Sequence, residues 1–221
     1  MFLSVLLWAG AFFIAAAVVL IFVPRMRLFA LLIAIAASLM MTVAIAWPVR
    51  EERVAKPVTH LDQAMPVWQF SERHATRVAA SPERVFQAIR AVTPNEILLF
   101  RTLTSIRRMG RPGPANIMNA PENEPLLQLA TRTSFRYLAD DPPRELLLGT
   151  ILVPPHVILA TMNFLVTPDG HGGSLVSTET RVFAESEYAV HRFSLYWRII
   201  QPGSDIIRRM WLRAIKKRAE K

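Results

Sequence analysis

Two apolar runs open the chain. Met1 to Val23 holds no charged side chain, and after Pro24-Arg25-Met26-Arg27 a second uncharged run extends from Leu28 to Trp47. A helix of about 20 residues crosses a hydrocarbon core roughly 30 Å thick, so either run is long enough. Neither carries the polar stripe of a helix that packs into a soluble core. A cleaved signal peptide would begin with a basic segment and hold a shorter apolar core, and no charge precedes the first run. The pattern predicts a transmembrane helical hairpin over residues 1–47, with spans at 1–23 and 28–47.

After Trp47 the pattern changes. Residues 48–66 are mixed and charged, punctuated by Pro48, Pro57 and Pro66, which predicts a linker. Residues 67–221 then make one domain of ordinary size. Trp68 to Ala79 (WQFSERHATRVA) is compatible with a first strand. Ser81-Pro82-Glu83 supplies an N-cap, a proline at the first helical position and an acid at the positive helix end, and Val85, Phe86, Ile89 and Val92 follow on one face. Thr93-Pro94-Asn95-Glu96 reads as a capping box opening a second short helix to about Ile106. Arg107 to Pro125 is rich in glycine and proline and predicts loop. Leu126 to Phe135 fits either a short helix or the entry to a strand.

From there the β pattern dominates. Phe135–Ala139, Arg144–Val153, Val157–Thr167 and Ser174–Ala184 read as strands joined by short turns at 140–143 and 168–173, an antiparallel meander. Phe193, Tyr196, Trp197 and Ile200 recur at helical spacing, as do Ile207, Met210, Trp211, Ala214 and Ile215. Pro202-Gly203 lies between the two sets and predicts a kink or break, with Ser204 available as a cap.

A sheet cannot cover its own concave face, and a long helix laid across it can. That order of elements, with the phrases RVAASPERVFQAIRAV, FRYLADDPPRELLLG, MNFLVTPDG and STETRVF leading into RRMWLRAIKKRAE, resembles the SRPBCC superfamily of START-like helix-grip domains, which includes polyketide cyclase-like and Bet v 1-like proteins. The resemblance covers roughly Trp68 to Lys221 and leaves out the apolar hairpin. It implies an α+β fold: a curved antiparallel sheet wrapped on a long C-terminal helix, with two short helices after the first strand. It also implies a hydrophobic ligand cavity and, in most members, binding or transport rather than chemistry. Some relatives are enzymes, and fold alone does not assign an activity.

Charge and composition narrow this further. The formal net charge is +9 and there is no cysteine, which excludes disulfides, cysteine nucleophiles and thiolate metal sites. Arg50, Arg53 and Lys56 outnumber Arg25 and Arg27 of the hairpin turn by one, so the positive-inside rule slightly favours a cytoplasmic domain on a bacterial inner membrane, with a periplasmic domain as the alternative. His60, His74, His156, His171 and His191 show no close pair at metal-ligand spacing and read as turn, surface or core histidines. No metal or cofactor is expected. Asp140-Asp141 beside Pro142-Pro143 reads as a turn rather than a catalytic carboxylate pair. There is no Gly-x-Ser-x-Gly elbow and no Gly-rich phosphate loop.

The candidate ligand site is assembled from the strands and the helix. Glu179, Arg181 and Phe183 share one face of their strand, either at a cavity mouth or as an ion pair on a solvated face. Asn163, amid apolar neighbours at even spacing, is either a pocket amide or a satisfied core amide. Phe193 and Trp197 would line the cavity from the helix. Arg208, Arg209, Arg213, Lys216, Lys217 and Arg218 exceed what a helix dipole requires, and in a cytoplasmic orientation would meet anionic headgroups, with Arg101, Arg107, Arg108 and Arg111 as further cations. Nucleic acid is not expected, for want of a recognised module and of exposed stacking aromatics. The expected function is a membrane-anchored binding domain for a hydrophobic or lipid-like small molecule. Two alternatives stand beside it: a cyclase- or hydrolase-type enzyme, which needs a buried acid or base in the cavity, and a ligand-free interaction domain, which needs a packed interior.

Overall fold

A computed structural model describes residues 1–152 and 157–221; Val153, the last residue of one predicted strand, and His156 lie outside the described residues. In chain order the elements are α1 (Phe2–Leu20), α2 (Arg27–Ala46), β1 (Glu52–Arg53), α3 (His60–Ala64), β2 (Val67–Trp68), β3 (Phe70–Val78), α4 (Pro82–Ala91), α5 (Phe100–Arg107), α6 (Leu126–Thr133), β4 (Arg136–Asp141), β5 (Glu145–Leu152), β6 (Ile158–Pro168), β7 (Ser174–Ala184) and α7 (Glu187–Ala219). This is an α+β fold with an antiparallel sheet, a long C-terminal helix and two apolar N-terminal helices. The chain forms two compact units, residues 1–50 with 190–202, and residues 51–189 with 203–221.

In the first unit the small residues face inward. Ser4, Gly10 and Ala17 of α1 and Ala30, Ala37 and Ala44 of α2 are buried, whereas Phe2, Phe12, Leu28, Leu32 and Leu39 are exposed. A Cβ on Gly10 would lie 2.5 Å from Met41 Cγ and 3.1 Å from the Ala37 carbonyl oxygen, so the close approach of the two helices depends on its absence. Residues 190–202 of α7 complete this unit. Ser4 Oγ donates to Gln201 Oε1 at 2.6 Å, and Trp8 Nε1 donates to the Ile199 carbonyl at 3.2 Å. The buried Arg198 donates to the carbonyls of Ile45 (3.0 Å) and Trp47 (2.8 Å). Those carbonyls are left over at the C-terminus of α2, where a cation is favoured.

The predicted break at Pro202-Gly203 does not occur. Pro202 lies inside a helix of 33 residues. The proline removes one backbone bond, and the helix runs on past it to Ala219.

The second unit is built on a five-stranded sheet of order β3-β7-β6-β5-β4. On one face Leu146, Leu148, Met162, Phe164, Val166 and Val176 pack with α4, α6 and the residues Trp211, Leu212 and Ile215 of α7 in a single core. The other face is also covered. The stretch read as a linker contains β1 and α3, and Leu61, Met65 and Trp68 are buried. Thr59 caps α3 and Asp62 closes the capping box, a Thr-x-x-Asp pattern that fixes a short helix between prolines. At Thr93–Glu96 the expected box is present but opens only a 3-10 turn; α5 starts at Phe100, after Leu99 takes up a left-handed conformation. The ambiguous stretch from Leu126 is the helix α6.

Candidate functional site

Edge strand β3 carries Phe70, Glu72, His74, Thr76 and Val78 on one side, so two titratable residues sit between two buried apolar ones. Pairing across the sheet puts Glu72 opposite Thr180, then Met162, then Leu148; His74 lies opposite Thr178, then Phe164, then Leu146. The face toward α7 therefore grades from apolar at β5 to polar at β3.

His74 Nε2 lies 2.8 Å from Glu72 Oε1 and 3.4 Å from Asp205 Oδ1 of α7. Arg209 grips Asp205 through both oxygens, at 2.8 and 3.3 Å. Arg208 turns inward instead, against Met162 Sδ and 5.6 Å from the centre of the Trp211 ring. Burial pushes the Arg208 guanidinium down from its ordinary pKa, and the Glu72 charge opposes that shift. Around this cluster Glu72 Oε2, Thr178 Oγ1, Thr180 Oγ1 and Trp211 Nε1 are buried without a hydrogen-bond partner among the described residues. A buried polar atom left this way costs roughly 1–3 kcal/mol, so four on one layer mark a place suited to a polar group.

The donor atoms of Glu72, His74 and Asp205 lie within 4.8 Å of one another, a spacing that suits a divalent cation. Two guanidinium groups oppose that reading, Arg209 by occupying Asp205 and Arg208 by its charge beside Glu72. A cleft of about 350 Å³ adjoins the cluster, lined by Arg73, His74, Ala75, Thr76, Arg209, Leu212 and Arg213.

The residues singled out from the sequence fall elsewhere. Asn163, Glu179 and Arg181 do share a face, but it is the one covered by α3, not the one toward α7. Asn163 Nδ2 donates to Glu145 Oε1 at 2.7 Å and its Oδ1 accepts from the Glu179 amide at 3.1 Å, so it is a satisfied core amide. The fully buried Glu145 also accepts from the amides of His60 (2.7 Å) and Leu61 (3.2 Å), the first turn of α3. Arg181 pairs with Glu179 at 2.6 Å and Asp62 at 2.8 Å, donates to the Met65 carbonyl, and lies 3.9 Å from the centre of the Trp68 ring. Phe183, on the same side by alternation, is half-buried. Phe193 and Trp197 stack with ring centres 5.9 Å apart and belong to the first unit.

Partners inside the protein take up most of the tail cations. Arg208 is turned inward, Arg209 is paired with Asp205, Lys216 with Glu220 at 3.1 Å and Arg218 with Glu96 at 2.8 Å. Arg213 and Lys217 are exposed and meet no carboxylate among the described residues. Asp140 and Asp141 end β4, where Asp140 pairs with Arg90 and Asp141 lies 3.4 Å from His60 Nε2. Sequence reasoning missed Glu72, Thr178, Thr180 and Asp205 and left His74 as an ordinary histidine. The signal available was alternation: Glu72 and His74 share parity with Phe70 and Val78.

No family model matches the sequence, and no curated protein is similar to it. Similar solved structures include a conserved protein from Geobacillus kaustophilus (12% identity, TM-score 0.38, covering 68% of this chain and 95% of that one). A START superfamily protein from Mycobacterium smegmatis is 11% identical, with TM-score 0.27 over 68% of this chain and 97% of that one. A point mutant of norcoclaurine synthase from Thalictrum, solved with a transition-state analogue, is 13% identical, with TM-score 0.28 over 68% of this chain and 93% of that one. Likeness of this degree carries nothing about ligand or activity.

Proposed function

We propose that this chain is a membrane-anchored binding domain for a hydrophobic or lipid-like small molecule, held between the sheet and the C-terminal part of α7. Its polar end would meet Glu72, His74, Thr178 and Thr180. The observation that carries this reading is the group of four buried, partnerless polar atoms where the apolar core between sheet and helix gives way to the polar edge at β3. The anchor rests on the inverted packing of α1 and α2, with small residues inside and large apolar ones outside, as suits a lipid surround. The distribution of Arg and Lys about the hairpin favours the cytoplasmic side of a bacterial inner membrane.

The test is native mass spectrometry of the full chain taken from its own membranes, with organic extraction of what co-purifies. A reproducible apolar or amphipathic species is expected with the wild type and is lost in Thr180→Phe, which fills the layer beside Met162 and Glu72. Asn163 is no place for such a block, since its amide is committed to Glu145 and the β7 backbone. An empty wild type, or a ligand that Thr180→Phe retains in full, overturns the reading. One observation favours an enzyme in the same cavity: the His74 side chain is only 8% exposed and lies beside Glu72, as a general base would. Extraction of a second, chemically altered species that disappears in His74→Gln would favour that alternative.

A further inference from the structure

We infer that the cleft between edge strand β3 and α7 binds a phosphate group carried by the ligand; this rests on the binding reading above. Arg73, Arg209, Arg213 and His74 line the cleft, and no carboxylate does. The carboxylates nearby have cationic or histidine partners, Asp205 in Arg209, Glu72 through Oε1 in His74, and Glu179 in Arg181. Arg73 forms a long ion pair with Glu179 at 3.9 Å and is largely exposed, so its guanidinium keeps N–H groups for a further acceptor. Arg213 has no acidic partner among the described residues, its Nη1 resting 3.6 Å from Met210 Sδ.

A phosphate offers several acceptor oxygens and as much as two negative charges, which matches a set of planar guanidinium forks better than a single carboxylate does. Among the described strands β3 pairs with β7 alone, which leaves alternate backbone N–H groups along its outer edge without a partner in the sheet. A volume of about 350 Å³ lies at the small end of ligand pockets and suits a headgroup rather than an acyl chain. His74 belongs both to this cleft and to the layer of partnerless atoms. A phosphate seated here would hold the rest of the molecule at the polar edge of the sheet interior.

Isothermal titration calorimetry on the full chain in neutral maltoside micelles tests this with three probes: dihexanoyl phosphatidic acid, dihexanoylglycerol and inorganic phosphate. Phosphatidic acid is expected to bind at least about tenfold more tightly than dihexanoylglycerol, to weaken as salt is raised, and to lose about tenfold in affinity in the Arg73→Gln/Arg213→Gln variant. Both arginines are exposed, and an unchanged melting temperature shows that the variant is folded. Inorganic phosphate binding as tightly as the lipid assigns the cleft to a soluble phosphate compound; much weaker phosphate binding assigns it to a lipid headgroup, and either outcome supports the inference. Equal binding of phosphatidic acid and dihexanoylglycerol, or a double variant that binds like the wild type, overturns it and leaves the binding function standing. Failure of all three probes to bind overturns the inference, whereas the extraction experiment with Thr180→Phe decides the binding function separately.

Discussion

At the scale of the residue, Asp62 shows what a single carboxylate holds in place. Burial opposes its charge, yet the Val58 amide, the Arg181 guanidinium and Thr59 more than offset this and hold its carboxyl below the usual value. A carboxyl whose pKa is depressed by folding contributes stability that is fully present above its unfolded value, near about 4, and lost as pH falls through the folded value. Asp62→Asn is therefore expected to destabilise the protein by about 2 kcal/mol at pH 7, because it removes one of the two carboxylates paired with the buried Arg181 and leaves Glu179 as the other. As pH falls below the unfolded value and on through the lower folded one, the wild-type carboxyl is neutralised, so the gap between the two proteins should close. Thermal unfolding across that range checks both size and direction; a gap that stays constant with pH would mean that Asp62 acts through packing alone.

At the scale of the element, alternation and capping made most of the sheet readable. Ser174–Ala184 is the strand β7 with the expected bounds, and Ser81-Pro82-Glu83 opens α4 as expected, although the Ser81 side chain makes no cap hydrogen bond. Alternation says which residues share a face, not what covers that face. For Asn163, Glu179 and Arg181 alternation leaves a cavity wall and a satisfied polar row equally open, because a polar row under a short helix has the same pattern as a polar row in a cavity, and residues 48–66 do not announce the helix that covers it. The division of α7 between two units was equally hidden, since both of its halves carry apolar residues at helical spacing. In the hairpin, the packing of α1 on α2 turns on Gly10. Gly10→Leu is expected to cost about 1–3 kcal/mol by overpacking against Met41 and the Ala37 carbonyl, whereas Gly10→Ala brings only a Cβ against the same two groups and should cost less. Melting temperatures of the two variants in detergent separate the cases.

At the scale of the whole molecule, the sheet unit begins well before its first long strand. Glu145 is fully buried, and its carboxylate is held by the amides of His60 and Leu61 and by Asn163. Removing residues 51–66 would take away two of those three donors, the Asp62 partner of Arg181, and the side chains of Leu61 and Met65. A buried carboxylate and a buried guanidinium would each lose a partner, at several kcal/mol apiece, against a total stability of about 5–15 kcal/mol for a typical domain. A fragment of residues 67–221 should consequently fail to fold. One of residues 51–221 should keep its sheet, although it too loses the partners of Arg198 and Gln201 in residues 1–50. Because both fragments share that second loss, comparing them isolates the contribution of 51–66. The expected outcome is a cooperative thermal transition and dispersed amide resonances for 51–221 and neither for 67–221. Two equally folded fragments would show that α3 merely rests on the sheet, with Glu145 and Arg181 able to find water or other partners once it is gone.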